Sequence, residues 1–194
     1  MKRTTLSLVL VLMAALPLSA SQFINMPFDE VARGAKFIVR ANVVDTWSAW
    51  DDSREVIYTY ATLQVTRYFG ESTGPDTLVV REVGGTVDGY RQEAIGFPEL
   101  RRGENVVLMI GEDGANLRIH AYNQGKFLIE RRNGIEVLVE DPAKQGEPRQ
   151  HRPRFAIGVD AVNEGPALTL DEFERMVDDA RAARFDFAPR RQQQ

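Results

Sequence analysis

From Ile57 to Phe69 the chain alternates without a break, with Tyr58, Tyr60, Thr62, Gln64 and Thr66 on one parity and Thr59, Ala61, Leu63 and Val65 on the other. Nearly all are β-compatible residue types, and a period of two over so long a run fits a pleated strand and not a helix. The rest of the chain follows the same logic. Lys36 to Asp45 is rich in Val and Ile and places Phe37, Val39, Ala41 and Val43 on one side of a strand. Trp47 to Glu55 reads as a polar loop carrying two tryptophans. Gly70 to Asp76 reads as a turn, Thr77 to Glu82 as a third strand ending at Gly84-Gly85, and the stretch up to Gly103 as looser chain.

Val106 to Ile110 is uninterruptedly apolar, as in a central strand covered on both faces, and Gly111 to Gly114 turns the chain before Leu117 to Tyr122. Asn133-Gly134 between Phe127–Arg132 and Ile135–Val139 is a hairpin signal, since both residues tolerate the positive φ of a type I′ turn. That register sets Arg131 opposite Glu136 as a cross-strand ion pair.

Two segments carry helical signals. Pro27 to Arg33 has its proline and acids early and its arginine late, with Gly34 as the stop. Thr169 and Glu172 form a capping box, and Leu170, Phe173, Val177, Ala180 and Ala183 share one face. Asp171, Glu172 and Glu174 crowd the first turn while Arg181 and Arg184 occupy the last, which suits the helix dipole. The expected fold is mainly β: an OB-like antiparallel barrel with a short N-terminal helix and a C-terminal amphipathic helix docked on it, the alternative being a β-sandwich.

Residues 1–20 have the layout of a secretory signal peptide, with Lys2 and Arg3, an apolar run from Leu6 to Leu16 and a cut between Ala20 and Ser21. The barrel domain is expected over 21–140, a polar linker over 141–166, the helix over 167–187 and a disordered tail over 188–194. The address is periplasmic or secreted. Ser21 stands where a lipoprotein needs cysteine, and no later segment reaches the ~20 apolar residues of a membrane span. Without Lys2 and Arg3 the chain keeps 22 Lys plus Arg against 28 Asp plus Glu, a formal charge of −6, and has no long basic run, which argues against nucleic acid as a partner. There is no cysteine, so the fold rests on its apolar core.

Reactive chemistry is sparse. The chain has His120 and His151 but no Cys and no Gly-x-Ser-x-Gly elbow. His120 reads as a strand-face histidine and His151 as a solvated linker residue. No short-spaced His or Cys ligand set suggests a transition metal, and Asp51-Asp52 and Asp178-Asp179 read as surface acids, so neither metal nor cofactor is expected. A pair of carboxylates acting as a hydrolase stays open. Gly84-Gly85-Thr86-Val87-Asp88-Gly89 matches no phosphate loop and reads as a bulge or turn, or as a flexible loop that lets a partner approach the backbone. Gln124-Gly125-Lys126-Phe127 reads as the beginning of a strand, with Lys126 exposed and Phe127 buried. Trp47 and Trp50 are contact residues or caps of the barrel. The candidate binding residues are therefore Trp47, Trp50, Gly84, Gly85, Thr86, Gln124 and Lys126, with no catalytic residue assigned.

The order of these features, from Phe37-Ile38-Val39-Arg40-Ala41-Asn42-Val43-Val44 through Tyr68-Phe69-Gly70, Gly84-Gly85-Thr86 and Arg102-Gly103-Glu104 to Gln124-Gly125-Lys126-Phe127, resembles an uncharacterised group of exported bacterial proteins. The likeness covers roughly Phe28 to Val139 and implies architecture and address. More remotely, Ile38 to Val44 followed by a long alternating strand and Phe69-Gly70 is similar to the netrin-like OB barrel of the tissue inhibitors of metalloproteinases. Those inhibitors place an N-terminal cysteine on the protease zinc, so a chain without cysteine inherits no inhibitory residue from them. The expected role is a non-enzymatic binding or accessory module that contacts a protein or an envelope ligand. A regulator of an exported metalloprotease and a carboxylate-dependent hydrolase are the alternatives.

Overall fold

The computed structural model describes residues 26–141 and 168–183. The expected signal peptide with its cut at Ala20 and Ser21, the linker beyond Asp141, His151, Arg184 and the 188–194 tail lie outside them. In chain order the elements are α1 (Phe28–Gly34), β1 (Phe37–Trp50), β2 (Ile57–Tyr68), β3 (Thr77–Val83), β4 (Gly85–Val87), β5 (Tyr90–Gln92), β6 (Asn105–Asp113), β7 (Asn116–Ile119), a 3-10 turn (Tyr122–Gly125), β8 (Lys126–Arg132), β9 (Ile135–Glu140), β10 (Leu168–Thr169) and α2 (Leu170–Ala182).

Five strands close on themselves in the order β1-β2-β3-β7-β6 and back to β1. β1 makes this possible by pairing on both edges, with β2 along its length and with β6 from Phe37↔Ile110 to Asn42↔Asn105. Its register slips between Arg40 and Ala41 and again between Val43 and Asp45, and such bulges bend a strand enough to serve two neighbours. The seam is a parallel contact of β3 and β7 at Val80↔Leu117, while β8, β9 and β10 extend the sheet beyond the ring. The mainly β class with its two flanking helices holds, and the ring is compatible with a barrel and with the sandwich alternative.

β6 shows why its sequence is apolar at every position. Val106, Leu108 and Ile110 point into the ring beside Val39, Leu63 and Val80, while Val107 and Met109 face the helices. Outside the ring, Phe173 of α2 is fully buried against Phe69, Phe28 and Phe127 with ring centroids 5.3, 5.7 and 5.7 Å away. Burying one such side chain contributes roughly 2 to 3 kcal/mol. The capping box of α2 is present, with the Thr169 side chain accepting from the Glu172 amide, and Val177 and Ala180 are buried with Phe173. Ala183 is exposed just past the helix rather than on its buried stripe.

Several boundaries differ from expectation. Trp47 to Trp50 is not loop but the end of β1, held by the pairs Trp47↔Tyr60, Ser48↔Thr59 and Trp50↔Ile57. Cross-strand aromatic and hydroxyl pairs outweigh the polar composition there. β7 ends at Ile119 because Ala121 and Tyr122 both take φ of 57°, so His120 sits in a turn and not on a strand face. Tyr122 to Gly125 is a 3-10 turn, and β8 starts at Lys126. The hairpin at Asn133-Gly134 forms, with φ of 51° and 83°, and Arg131 pairs in register with Glu136. The carboxylate's ion pair, however, is the two-pronged one with Arg40, at 2.8 and 2.9 Å.

Candidate functional site

β3 ends at one mouth of the ring, and Gly84 and Gly85, with φ of 105° and 138°, reverse the chain so that β4 and β5 fold over that mouth. The sequence predicts a bulge, turn or flexible loop over residues 84–89 and looser chain beyond it, in place of this hairpin. Its strands are three residues each, too short to show a period, and its two-residue turn is Asp88-Gly89, both at positive φ. Two bonds fasten it to the head of β2: the Gly84 amide donates to the Ile57 carbonyl at 2.8 Å, and the Ile57 amide donates to Gln92 Oε1 at 2.7 Å. Gly85 is demanded by contact as well as by conformation, because a Cβ there would lie 2.4 Å from Thr59 Oγ1 and 2.5 Å from Ser48 Oγ.

The loop of residues 93–100 forms the opposite wall. The Asn123 amide donates to the Gly96 carbonyl at 3.2 Å, Phe97 meets Tyr122 edge-on at 4.9 Å, and the Arg118 guanidinium covers both rings at 5.7 and 5.0 Å. Between hairpin and loop lies a cavity of about 730 Å³, within the size range of small-molecule sites. Ala61, Val83, Ile95, Phe97 and Leu100 supply apolar wall, and Ser48, Thr59 and Glu82 supply polar wall.

These three polar residues form one row. Ser48 pairs with Thr59 and Thr59 with Glu82 across β1, β2 and β3. The Thr59 hydroxyl donates to the Gly84 carbonyl at 2.7 Å, so in the 2.9 Å contact between the hydroxyls Ser48 is the donor. Glu82 is buried at 5% exposure, and its Oε1 accepts the Ile119 amide. Burial pushes its carboxyl up to about 7, with the Asp113 charge in the same direction, against the opposing pull of the Ile119 hydrogen bond and the Arg118 charge. A buried carboxyl in a concave site whose affinity for its proton is raised this far is a mark of functional sites.

The expected site residues divide into two sets. Gly84, Gly85 and Thr86 line the cavity. Trp47 and Trp50 do not: Trp47 stacks on Tyr60 at 5.3 Å and 8°, and Trp50 meets Tyr90 of the hairpin edge-on at 5.9 Å. Gln124 accepts the Met26 amide through Oε1 at 3.0 Å and so ties down the chain ahead of α1. Lys126, expected exposed, is fully buried, its ammonium 2.9 Å from Glu104 and 2.8 Å from Asp141. Two carboxylates make that burial tolerable. The same ammonium donates to the Glu99 carbonyl, so Lys126 braces the cavity's loop wall from behind.

Glu82 is the residue that sequence reasoning missed. It shares parity with Leu78 and Val80, both buried, and an acid on the apolar side of a strand was the available signal. His120 packs against Gly34 and Gly111, where a Cβ would come within 2.4 and 3.3 Å of its ring nitrogens. Its Nε2 is buried with no hydrogen-bond partner among the described residues, and burial, then the Arg118 charge, lower its affinity for a proton. Asp51 caps its own loop, accepting from Ser53 and from the Glu55 and Val56 amides. Among the described residues no group of three His, Cys, Asp or Glu is placed to hold a metal ion, and no helix is long and apolar enough to cross a membrane.

Comparison with family profiles, curated proteins and solved structures finds no match to this chain.

Proposed function

We propose that the chain is a non-enzymatic binding module that acts outside the cytoplasm, in the periplasm or as a secreted protein, and takes a small ligand into the cavity under the β4–β5 hairpin. The observation that carries this reading is the convergence of Gly84, Gly85, Thr86 and the buried Glu82 on one cavity of about 730 Å³. Apolar wall with a few fixed polar groups is what ligand sites present. The export layout of residues 1–20 supports the address, and a five-stranded ring with loops folded over its mouth supports an OB-like binding scaffold. The test is a screen of small aromatic and aliphatic fragments followed by amide NMR. Shifts gathered on Gly84, Gly85, Thr86 and Asn123 are the expected result, and shifts confined to the outer faces of the sheet contradict it.

One observation favours a second reading, the carboxylate-dependent hydrolase. A carboxyl that holds its proton near neutral pH is suited to general-acid work. Turnover on an ester and glycoside panel that disappears in Glu82→Gln supports that reading, and turnover unchanged by the substitution removes it. Regulation of an exported metalloprotease rests on the remote fold likeness alone, and no residue of the cavity argues for it.

A further inference from the structure

Among the polar groups of the cavity, the row on β1, β2 and β3 offers acceptors. The Ser48 hydroxyl gives its proton to Thr59, and Thr59 gives its own to the Gly84 carbonyl, which leaves lone pairs at Ser48. Glu82 lines the cavity and uses Oε1 on the Ile119 amide, and no hydrogen bond to its second oxygen is found among the described residues. The other charges of the wall are neutralised locally. Arg91 pairs with Glu93 at 3.0 Å and Glu99 with Arg101 at 2.8 Å. Behind the wall, Asp113 pairs with Arg81 at 3.2 Å, and Arg118 lies over the faces of Phe97 and Tyr122. Glu82 alone among these acids makes no ion pair with a described residue.

Resting on the reading of this cavity as a ligand site, we propose that it selects small organic amines, the ammonium group set against Glu82 and the apolar body against Val83, Phe97 and Leu100. Arg118 acts on Glu82 only through its charge and makes no ion pair with it, so a cationic ligand supplies the direct contact, and a charge-assisted hydrogen bond in a buried site is the strong kind. A neutral ligand of the same shape forgoes that gain. An anionic one meets a carboxyl and acceptor oxygens.

The experiment titrates the protein with phenethylamine, phenethyl alcohol and phenylacetate near pH 7.5, by calorimetry and by amide NMR. Phenethylamine is expected to bind at Gly84, Gly85 and Thr86 about tenfold or more tightly than the alcohol, with phenylacetate weakest. Glu82→Gln keeps an oxygen for the Ile119 amide and is expected to erase the preference for the amine over the alcohol. Alcohol or phenylacetate bound in the cavity as tightly as the amine overturns the inference and leaves the binding reading standing, as does a preference that survives in Glu82→Gln. No shift at the cavity residues with any of the three overturns both. If Glu82→Gln fails to fold, the ranking of the three ligands on the unmodified protein decides by itself.

Discussion

Glu82 Oε1 accepts the Ile119 amide at 2.5 Å, two residues along from the Val80↔Leu117 contact that joins β3 to β7. Where the backbone ladder of the seam runs out, a side chain takes over its work. An amide left without a partner in the core is costly, so the ring gains from a strong acceptor there even though the acceptor is an acid. The same residue lines the cavity. Closure of the ring and the polar anchor of the site thus fall to one side chain.

This arrangement has a pH signature. The carboxyl of Glu82 is raised in the folded protein from 4.5 to about 7, so across that window the folded state holds a proton that the unfolded state has released. Its contribution therefore makes stability fall as pH rises from about 4.5 to about 7, by roughly 3 kcal/mol in all. His120 acts in the opposite sense, because its lowered proton affinity makes folding more favourable as pH rises toward 6.5. Urea unfolding of the native protein and of Glu82→Gln separates the two. The stability of the variant relative to the native protein is expected to climb between pH 4.5 and 7, and a constant difference would refute the assignment.

Lys126 makes a second stability test. Lys126→Met removes the ammonium that pairs with Glu104 and Asp141 and the bond to the Glu99 carbonyl. Breaking one side of a buried ion pair costs about 3 to 5 kcal/mol. Denaturant midpoints are expected to drop accordingly, and a solvent-exposed lysine would show almost no change.

Two glycines of the same hairpin are expected to behave differently. Gly85→Ala drives a Cβ into the Ser48 and Thr59 hydroxyls at a φ of 138°, whereas Gly89→Ala at the tip, with φ of 83°, meets nothing within 4 Å. The first is expected to destabilise by about 2 to 4 kcal/mol and to abolish fragment binding, and the second to cost about 1 kcal/mol and leave binding intact. Equal effects would mean that the hairpin does not pack on the β1–β2 hydroxyl pair.

The tryptophans divide in a similar way. Trp47 is 43% exposed and stacks on Tyr60, away from the cavity, so Trp47→Ala is expected to cost about 1 kcal/mol and leave fragment affinity within about twofold. Trp50 touches Tyr90, so Trp50→Ala is expected to loosen β4 and β5 and to speed hydrogen exchange at the Gln92 amide. Capture of a protein partner that is lost in Trp47→Ala alone would move the binding surface to the sheet's outer face.

Long elements were readable because their periods were long. The alternation from Ile57 onward, the unbroken Val106–Ile110 run and the Thr169–Glu172 cap each signal a single structure, and each appears where expected. Trp47 to Trp50 was misread because Ser48 and its neighbours look polar until Thr59 and Tyr60 are set across from them. Gly84 and Gly85 suggest a backbone open to a partner's approach, yet what Gly85 approaches is the Ser48 and Thr59 hydroxyls, on strands far away in sequence. Lys126 and Glu82 failed for one shared reason: a charged side chain reads as surface unless its partners, here Asp141, Glu104 and the Ile119 amide, are known in space.

The most direct test follows the Glu82 side-chain carboxyl itself by carbon NMR while the pH is raised from 3 to 9. A buried acid that closes the ring and lines an apolar cavity is expected to titrate at about 7. A midpoint in the ordinary glutamate range, near 4.5, would place the carboxyl in water and contradict the account.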